Sequence, residues 1–294
     1  MRRRPNNRPG RPSERSRARQ GMADLHIHTT HSDGACSPCE VVVAAARVRL
    51  SAIAITDHDT TTGLAVARPE AAHWGVELIA GVELTSEHRG RDLHILGYFF
   101  REDDGPLLAA MQRLCEGRAH RIEAMADRLR ELGLSLDLEA VRRAYPRAVL
   151  GRRHLADYLW KTGQVSGTRD AFARYLGDRG PACVEKTRLD AAQTIDLIHQ
   201  AGGVAALAHP PHDFGESSIR GLADAGLKAI EIEGPGCSTS LGRRLAEIAD
   251  RLGLVGLSGS DFHAADRPGR WVGAIATGPE VLERLRARTR GRLE

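Results

Sequence analysis

From Met22 onward, short apolar runs alternate with longer stretches of helical period. The runs at 24–28, 51–56, 77–85, 93–100, 204–209, 229–233, 254–258 and 273–277 predict strands. The stretches at 38–49, 61–74, 106–132, 189–201, 217–225, 239–252 and 279–288 predict helices. Strands that alternate with helices predict βα units on a parallel sheet. Seven or eight such units in one chain of this length predict an α/β barrel.

One segment breaks the rhythm. Residues 101–188 hold no strand pattern and are rich in Arg, and Leu114, Arg118, Arg121, Met125, Leu129 and Leu132 recur at helical spacing until Gly133 stops the helix. The predicted division is therefore a basic tail over 1–21, a first part of the barrel over 22–100, a helical insertion capping the substrate over 101–188, and a second part of the barrel over 189–294. The first helix has a marked start: Ser37 as N-cap, Pro38 in the first turn and Glu40 as capping-box partner. Capping accounts for the centre of Cys36-Ser-Pro-Cys39, which otherwise reads as a redox or zinc pair without a second pair to complete it.

Composition changes this picture little. No run of 18 apolar residues exists, so a membrane-spanning helix is not expected. The net charge of +4 is uneven: residues 1–20 carry +7 and the remainder about −3. The tail has no apolar stretch after its arginines, so it is expected to be disordered rather than a secretory signal. It also reads as an extension upstream of a start at Met22, or as an arm for nucleic acid. Five scattered Cys and no signal segment predict reduced thiols and a cytoplasmic location.

The chemistry sits at strand ends. His26 and His28 close the first strand, two apart and so on one side of it. Asp33 follows in a Ser-Asp-Gly loop, and Thr56-Asp57-His58-Asp59 follows the second strand. Glu83 ends the third, His94 opens the fourth, His209 ends a later one, and Asp261 and His263 follow the last. In a parallel barrel all carboxyl ends converge on one face. Buried unpaired imidazoles and carboxylates are costly, and bound cations satisfy them. These nine residues therefore predict a polynuclear centre of Zn, Mn or Fe, with two or three ions that activate water and clamp a phosphoryl oxygen. Asp57 and Asp59 are expected to orient the His ligands. Asp59 or a His beside the leaving oxygen, His209 among them, is expected to protonate it.

The motifs His26-Ile-His28, Ser32-Asp33-Gly34, Thr56-Asp57-His58-Asp59, Gly81-Val82-Glu83, Leu93-His94, Ala208-His209-Pro210 and Gly259-Ser260-Asp261-Phe262-His263 resemble, in order, those of the PHP (polymerase and histidinol phosphatase) superfamily. Within it, Gly151-Arg152-Arg153-His154, the surroundings of Lys186 and Ile198-His199-Gln200-Ala201-Gly202-Gly203 resemble the 3′,5′-nucleoside bisphosphate phosphatase and ribonuclease AM subgroup. The resemblance implies a distorted (β/α)7 TIM-like barrel with an inserted helical domain, and three metal ions, usually Mn²⁺. It implies that His26, His28, Glu83 and Asp261 hold one ion, that Asp33, His58 and His209 hold a second, and that Glu83 bridges to a third held by His94. His263 is a further ligand, and Arg152 and His154 contact a substrate phosphate. The implied reaction removes the 3′-phosphate of 3′,5′-nucleoside bisphosphates and extends to 5′-phosphorylated short RNA, with no membrane and no obligate protein partner.

Three rivals stand beside it. An amidohydrolase also uses a His-x-His pair but commonly needs a strand-end Lys, and Lys161, Lys186 and Lys228 are not so placed. A histidinol-phosphate or other small-molecule phosphatase would not need Arg152 and His154. A non-enzymatic metal module would be expected to lack some of the ligands.

Overall fold

The first strand explains the barrel. All five residues of β1 (Ala23–Ile27) are buried, although Asp24 and His26 are polar. A strand covered by helices on one side and facing a filled interior on the other shows no exposed face. Leu25 packs with apolar neighbours while His26 meets other polar groups inside. The structure, a computed structural model, describes residues 20–266 and 269–289. The expected basic tail lies, through residue 19, outside the described residues.

After β1 come α1 (Pro38–Arg47), β2 (Ala52–Ile55), α2 (Thr62–Trp74), β3 (Glu77–His88), β4 (Arg91–Tyr98) and α3 (Gly105–Glu131). The helices α4 (Leu138–Ala144), α5 (Arg152–Lys161) and α6 (Thr168–Ala171) follow, the last continuing as a π-helical turn over Phe172–Leu176. The chain then returns through β5 (Leu189–Asp190), α7 (Ala191–Gln200), β6 (Val204–Leu207), α8 (Glu216–Asp224), β7 (Ala229–Glu233), α9 (Thr239–Leu252), β8 (Val255–Ser258) and α10 (Pro279–Ala287). The α1 start is as expected: Ser37 and Glu40 form a reciprocal capping box. Cys36 and Cys39 are free thiols.

The sheet runs β1-β2-β3-β4-β6-β7-β8, with β5 pairing on β3. A bridge between Ile27 and Phe262 brings its two ends together into a nearly closed barrel. The sheet departs from the expected all-parallel order at β4, which is antiparallel to both β3 and β6. Only Arg89 and Gly90 connect β3 to β4, at φ 53° and 74°. Two successive residues of positive φ make a tight hairpin turn that leaves no room for a crossover helix. Because β4 is reversed, it brings its opening half, with His94, to the rim where the parallel strands end.

The strand expected at 273–277 is also absent. Gly273 turns at φ 80° and donates its N–H to Asp24 Oδ2 at 2.7 Å. Of that segment, Thr277 pairs, through an isolated bridge with Ala23.

Helix α3 joins two cores. Its first turns bury Leu107, Met111 and Leu114 against the barrel with Phe100 and Ile198. Its later turns bury Ile122, Met125 and Leu129 in a separate cluster with Val141, Leu155, Leu159 and Leu176. The barrel rim and the helical segment also meet where Val149 N–H donates to His31 O at 3.0 Å. Among the described residues, no helix is long and apolar enough to cross a membrane.

Candidate metal centre

The strand ends converge on Glu83. Its carboxylate is buried in the middle of β3 and has five imidazole nitrogens around it. Oε2 lies 3.3 Å from His26 Nε2, 3.1 Å from His28 Nε2 and 3.2 Å from His58 Nδ1. Oε1 lies 2.8 Å from His94 Nδ1 and 2.9 Å from His209 Nε2. Asp261 Oδ1 approaches the same His28 Nε2, at 3.3 Å, and His263 stacks on the His28 ring at 4.1 Å between ring centroids. Asp33 Oδ1 lies 3.2 Å from His263 Nε2 and 4.0 Å from His58 Nε2. All nine strand-end residues are thus in one cluster. One pairing differs from that implied by the resemblance: His263 sits beside Asp33, whereas His209 sits on Glu83 with His94.

The donor set fits cations. Three groups each have their ligand atoms within 4.8 Å of one another: His28, Asp33, His58 and His263; His26, His28 and Glu83; His58, Glu83 and His94. His28, His58 and Glu83 each belong to two groups, as ligands between neighbouring ions would. Asp33 Oδ1 and His58 Nδ1 are buried and, although each has an ionisable neighbour at 3.2 Å, neither makes an aligned hydrogen bond; such atoms are costly unless something binds them. A chain without cations has only its own charges for compensation. Burial disfavours a charged His28, yet the carboxylates of Asp261 and Glu83 override it and push the imidazole up to about 10. Burial also disfavours charge on Glu83 and Asp33, but the surrounding imidazoles hold both carboxyls well below their usual range. Burial pushes His58 and His94 down.

A second layer holds this cluster in shape. Glu231, buried on β7, accepts from the two sides of the site: His26 Nδ1 lies 2.9 Å from Oε1, and the His209 backbone N–H donates to Oε2 at 2.6 Å. Asp24 accepts from Ser260 N–H at 2.9 Å and so fixes the loop before Asp261; burial pushes its carboxyl up to about 6. Two glycines are required for space. A Cβ on Gly34 would lie 2.3 Å from His28 O, and one on Gly259 would lie 2.5 Å from His26 Cβ. Asp59, His209 and Asp261 hold positive φ values of 58°, 23° and 44°, uncommon for residues with side chains and concentrated here at the site.

Neither Asp57 nor Asp59 bonds a ligand imidazole directly; Asp57 reaches His28 through Ser32, whose Oγ lies 3.5 Å from His28 Nδ1. Asp57 accepts from Thr29 N–H and Oγ at 2.7 Å each and from Ser32 Oγ at 2.6 Å, tying down the loop that leads to Asp33. Asp59 accepts from Thr85 N–H at 2.8 Å, Thr85 Oγ at 2.9 Å and Arg118 Nη2 at 2.5 Å. Both its oxygens are occupied, and it anchors Arg118 of α3 over the site.

A cavity of about 1110 Å³ opens above the cluster. Asp33, His58 and His94 line its floor, and Arg118, Arg121, Arg152, Arg153, His154 and Lys186 line its wall. Arg152 donates to Leu176 O at 3.0 Å and Asp178 Oδ1 at 2.7 Å, and His154 Nδ1 accepts from Gly151 N–H at 2.9 Å. The sequence reading missed Glu231 and the role of Arg118. A charge at an inward position of Ala229-Ile230-Glu231 was the available signal for the first.

The second layer carries a prediction. Glu231→Gln is expected to weaken metal binding by about 10–100-fold, because the partner that orients a ligating imidazole changes its geometry and basicity. Titration of the purified protein with Mn²⁺ measures this. Unchanged affinity would mean that His26 needs no such support.

The chain matches the PHP domain family over residues 24–111. It is 34% identical over 264 residues to the 3′,5′-nucleoside bisphosphate phosphatase of Chromobacterium violaceum, covering 88% of this chain and 93% of that protein. It is 34% identical over 245 residues to a 5′-3′ exoribonuclease of Haemophilus influenzae, covering 82% and 89%. A solved structure from Bifidobacterium adolescentis, assigned as a metal-dependent phosphoesterase, superposes with a TM-score of 0.85 at 26% identity over 92% of this chain and 96% of that one. With the motifs in order, the barrel, and the imidazole–carboxylate cluster suited to a metal ion, the chain belongs to the PHP family and is a phosphoric ester hydrolase.

Proposed function

We propose that the protein removes the 3′-phosphate of a 3′,5′-bisphosphorylated nucleoside, and that the same bond is cleaved at the first residue of 5′-phosphorylated short RNA. One observation carries this reading: a single cavity joins the imidazole–carboxylate cluster to a wall of arginines and a lysine. A substrate with two phosphates would place the reacting one over Glu83 and its neighbours and the other against the wall. Relatives named for a nucleoside bisphosphate phosphatase and a 5′-3′ exoribonuclease support the same substrate class.

In this reading His26, His28, Asp33, His58, Glu83, His94, His209, Asp261 and His263 hold two or three ions, Mn²⁺ in preference to Fe or Zn. Bound divalent ions supply positive charge for the phosphoryl oxygens and lower the pKa of water. The protein's own groups do the rest. Asp59 keeps the Arg118 guanidinium in place, and Arg118 with Arg152 and His154 receives the 5′-phosphate. Paired N–H donors on a planar fork suit a phosphate better than an ammonium does. His209 returns a proton to the 3′-oxygen only where its Nε2, 2.9 Å from Glu83 Oε1, does not itself hold an ion. The helical segment over 101–188 acts as the substrate cap, and the enzyme works in the cytoplasm.

Phosphate release tests this directly. With Mn²⁺, adenosine 3′,5′-bisphosphate is expected to yield inorganic phosphate and adenosine 5′-phosphate, at far higher kcat/KM than histidinol phosphate. Release of the 5′-phosphate, or preference for histidinol phosphate, would refute the reading.

A further inference from the structure

The cavity continues beyond its cationic wall. Helix α5 presents Arg153, Asp157, Trp160 and Lys161 along one face, at helical spacing, and all four line the cavity. Trp160 lies about 10 Å beyond Arg153 along the helix axis. Its side chain is 50% exposed. Among the described residues Trp74, Leu108 and Leu132 are the other exposed large apolar side chains, and none of them lines the cavity.

The neighbouring rings are already covered. Lys161 Nζ lies 5.6 Å from the Tyr145 ring centroid, and the Arg152 guanidinium lies 5.7 Å from that of Phe172. Among the described residues no ring or cation stacks on Trp160. An indole left open at the rim of a polar, cationic cavity is costly to expose to water and offers a flat π face to a ligand.

We propose that Trp160 is the platform on which the substrate's nucleobase stacks, which makes it a specificity-determining residue. This rests on the reading of the site as one for a 5′-phosphorylated nucleoside esterified at its 3′-oxygen. The reacting phosphate lies on the cluster, the 5′-phosphate on the arginines, and the base on the indole. Every base has a π face, so stacking selects nucleosides over sugar phosphates without choosing among bases.

The test compares adenosine 3′,5′-bisphosphate with methyl ribofuranoside 3,5-bisphosphate, which has both phosphates and no base. Wild-type protein with Mn²⁺ is expected to favour the nucleotide by about tenfold or more in kcat/KM, expressed in KM. Trp160→Ala is expected to collapse that ratio, and Trp160→Phe to restore most of it. A ratio near one in the wild type, or one that survives Trp160→Ala, overturns the platform while hydrolysis of both esters leaves the site's reading intact. Absence of 3′-phosphate release from both esters in the wild type removes the underlying reading and the platform with it.

Discussion

Glu83→Gln is expected to lower phosphoester hydrolysis about a thousandfold or more, because this carboxylate meets five of the six imidazoles of the cluster. Five imidazole nitrogens surround its two oxygens, and it belongs to two of the three ligand groups. Gln keeps the volume but replaces one oxygen with an amide nitrogen, which cannot ligate a cation and carries no charge. The imidazoles then lose their common anionic partner. Metal content should fall with activity, and the circular-dichroism spectrum should still report a folded barrel, since the apolar clusters of the fold do not include Glu83. Near wild-type activity with a full metal complement would remove Glu83 from the centre.

Asp59→Asn and Arg118→Ala are expected to share one phenotype: a rise in KM for 3′,5′-bisphosphates of about 10–100-fold, with a smaller effect on kcat. Charge-assisted hydrogen bonds are worth about 1.5–3 kcal/mol, which converts to that range. The reason is geometric. Asp59 meets Arg118 through both Nε, at 3.2 Å, and Nη2, at 2.5 Å, and the carboxylate is buried. Removing either partner frees the other from its place above the site. A proton-donating Asp59 would behave differently: Asp59→Asn would lose kcat and the basic limb of the pH–rate profile, with KM little changed. That pattern would return Asp59 to the role of acid.

Much of the site was legible because it breaks the rules of a core. His26, His28 and Glu83 interrupt runs that otherwise read as buried strands, and such interruptions need partners. The motif spacing then located all the cluster residues. What stayed hidden had local reasons. The Arg89-Gly90 turn is not a strong hairpin signal, so the pattern predicts one more parallel strand where β4 lies. Residues 273–277 have the composition of a strand, yet the Gly273 N–H is taken by Asp24, far away in sequence. Glu231 alternates with apolar neighbours and is followed two residues later by the exposed Glu233, so the pair resembles an ordinary solvent-facing pattern. Arg118 is one arginine among many, and only the packing of α3 on the barrel singles it out.

The most direct measurement is anomalous diffraction at the manganese edge from crystals grown with Mn²⁺. Two or three peaks are expected inside the ring formed by Glu83, Asp33, Asp261 and the six imidazoles. An empty ring, with peaks elsewhere or none, would contradict a metal-dependent hydrolase built on these strand ends.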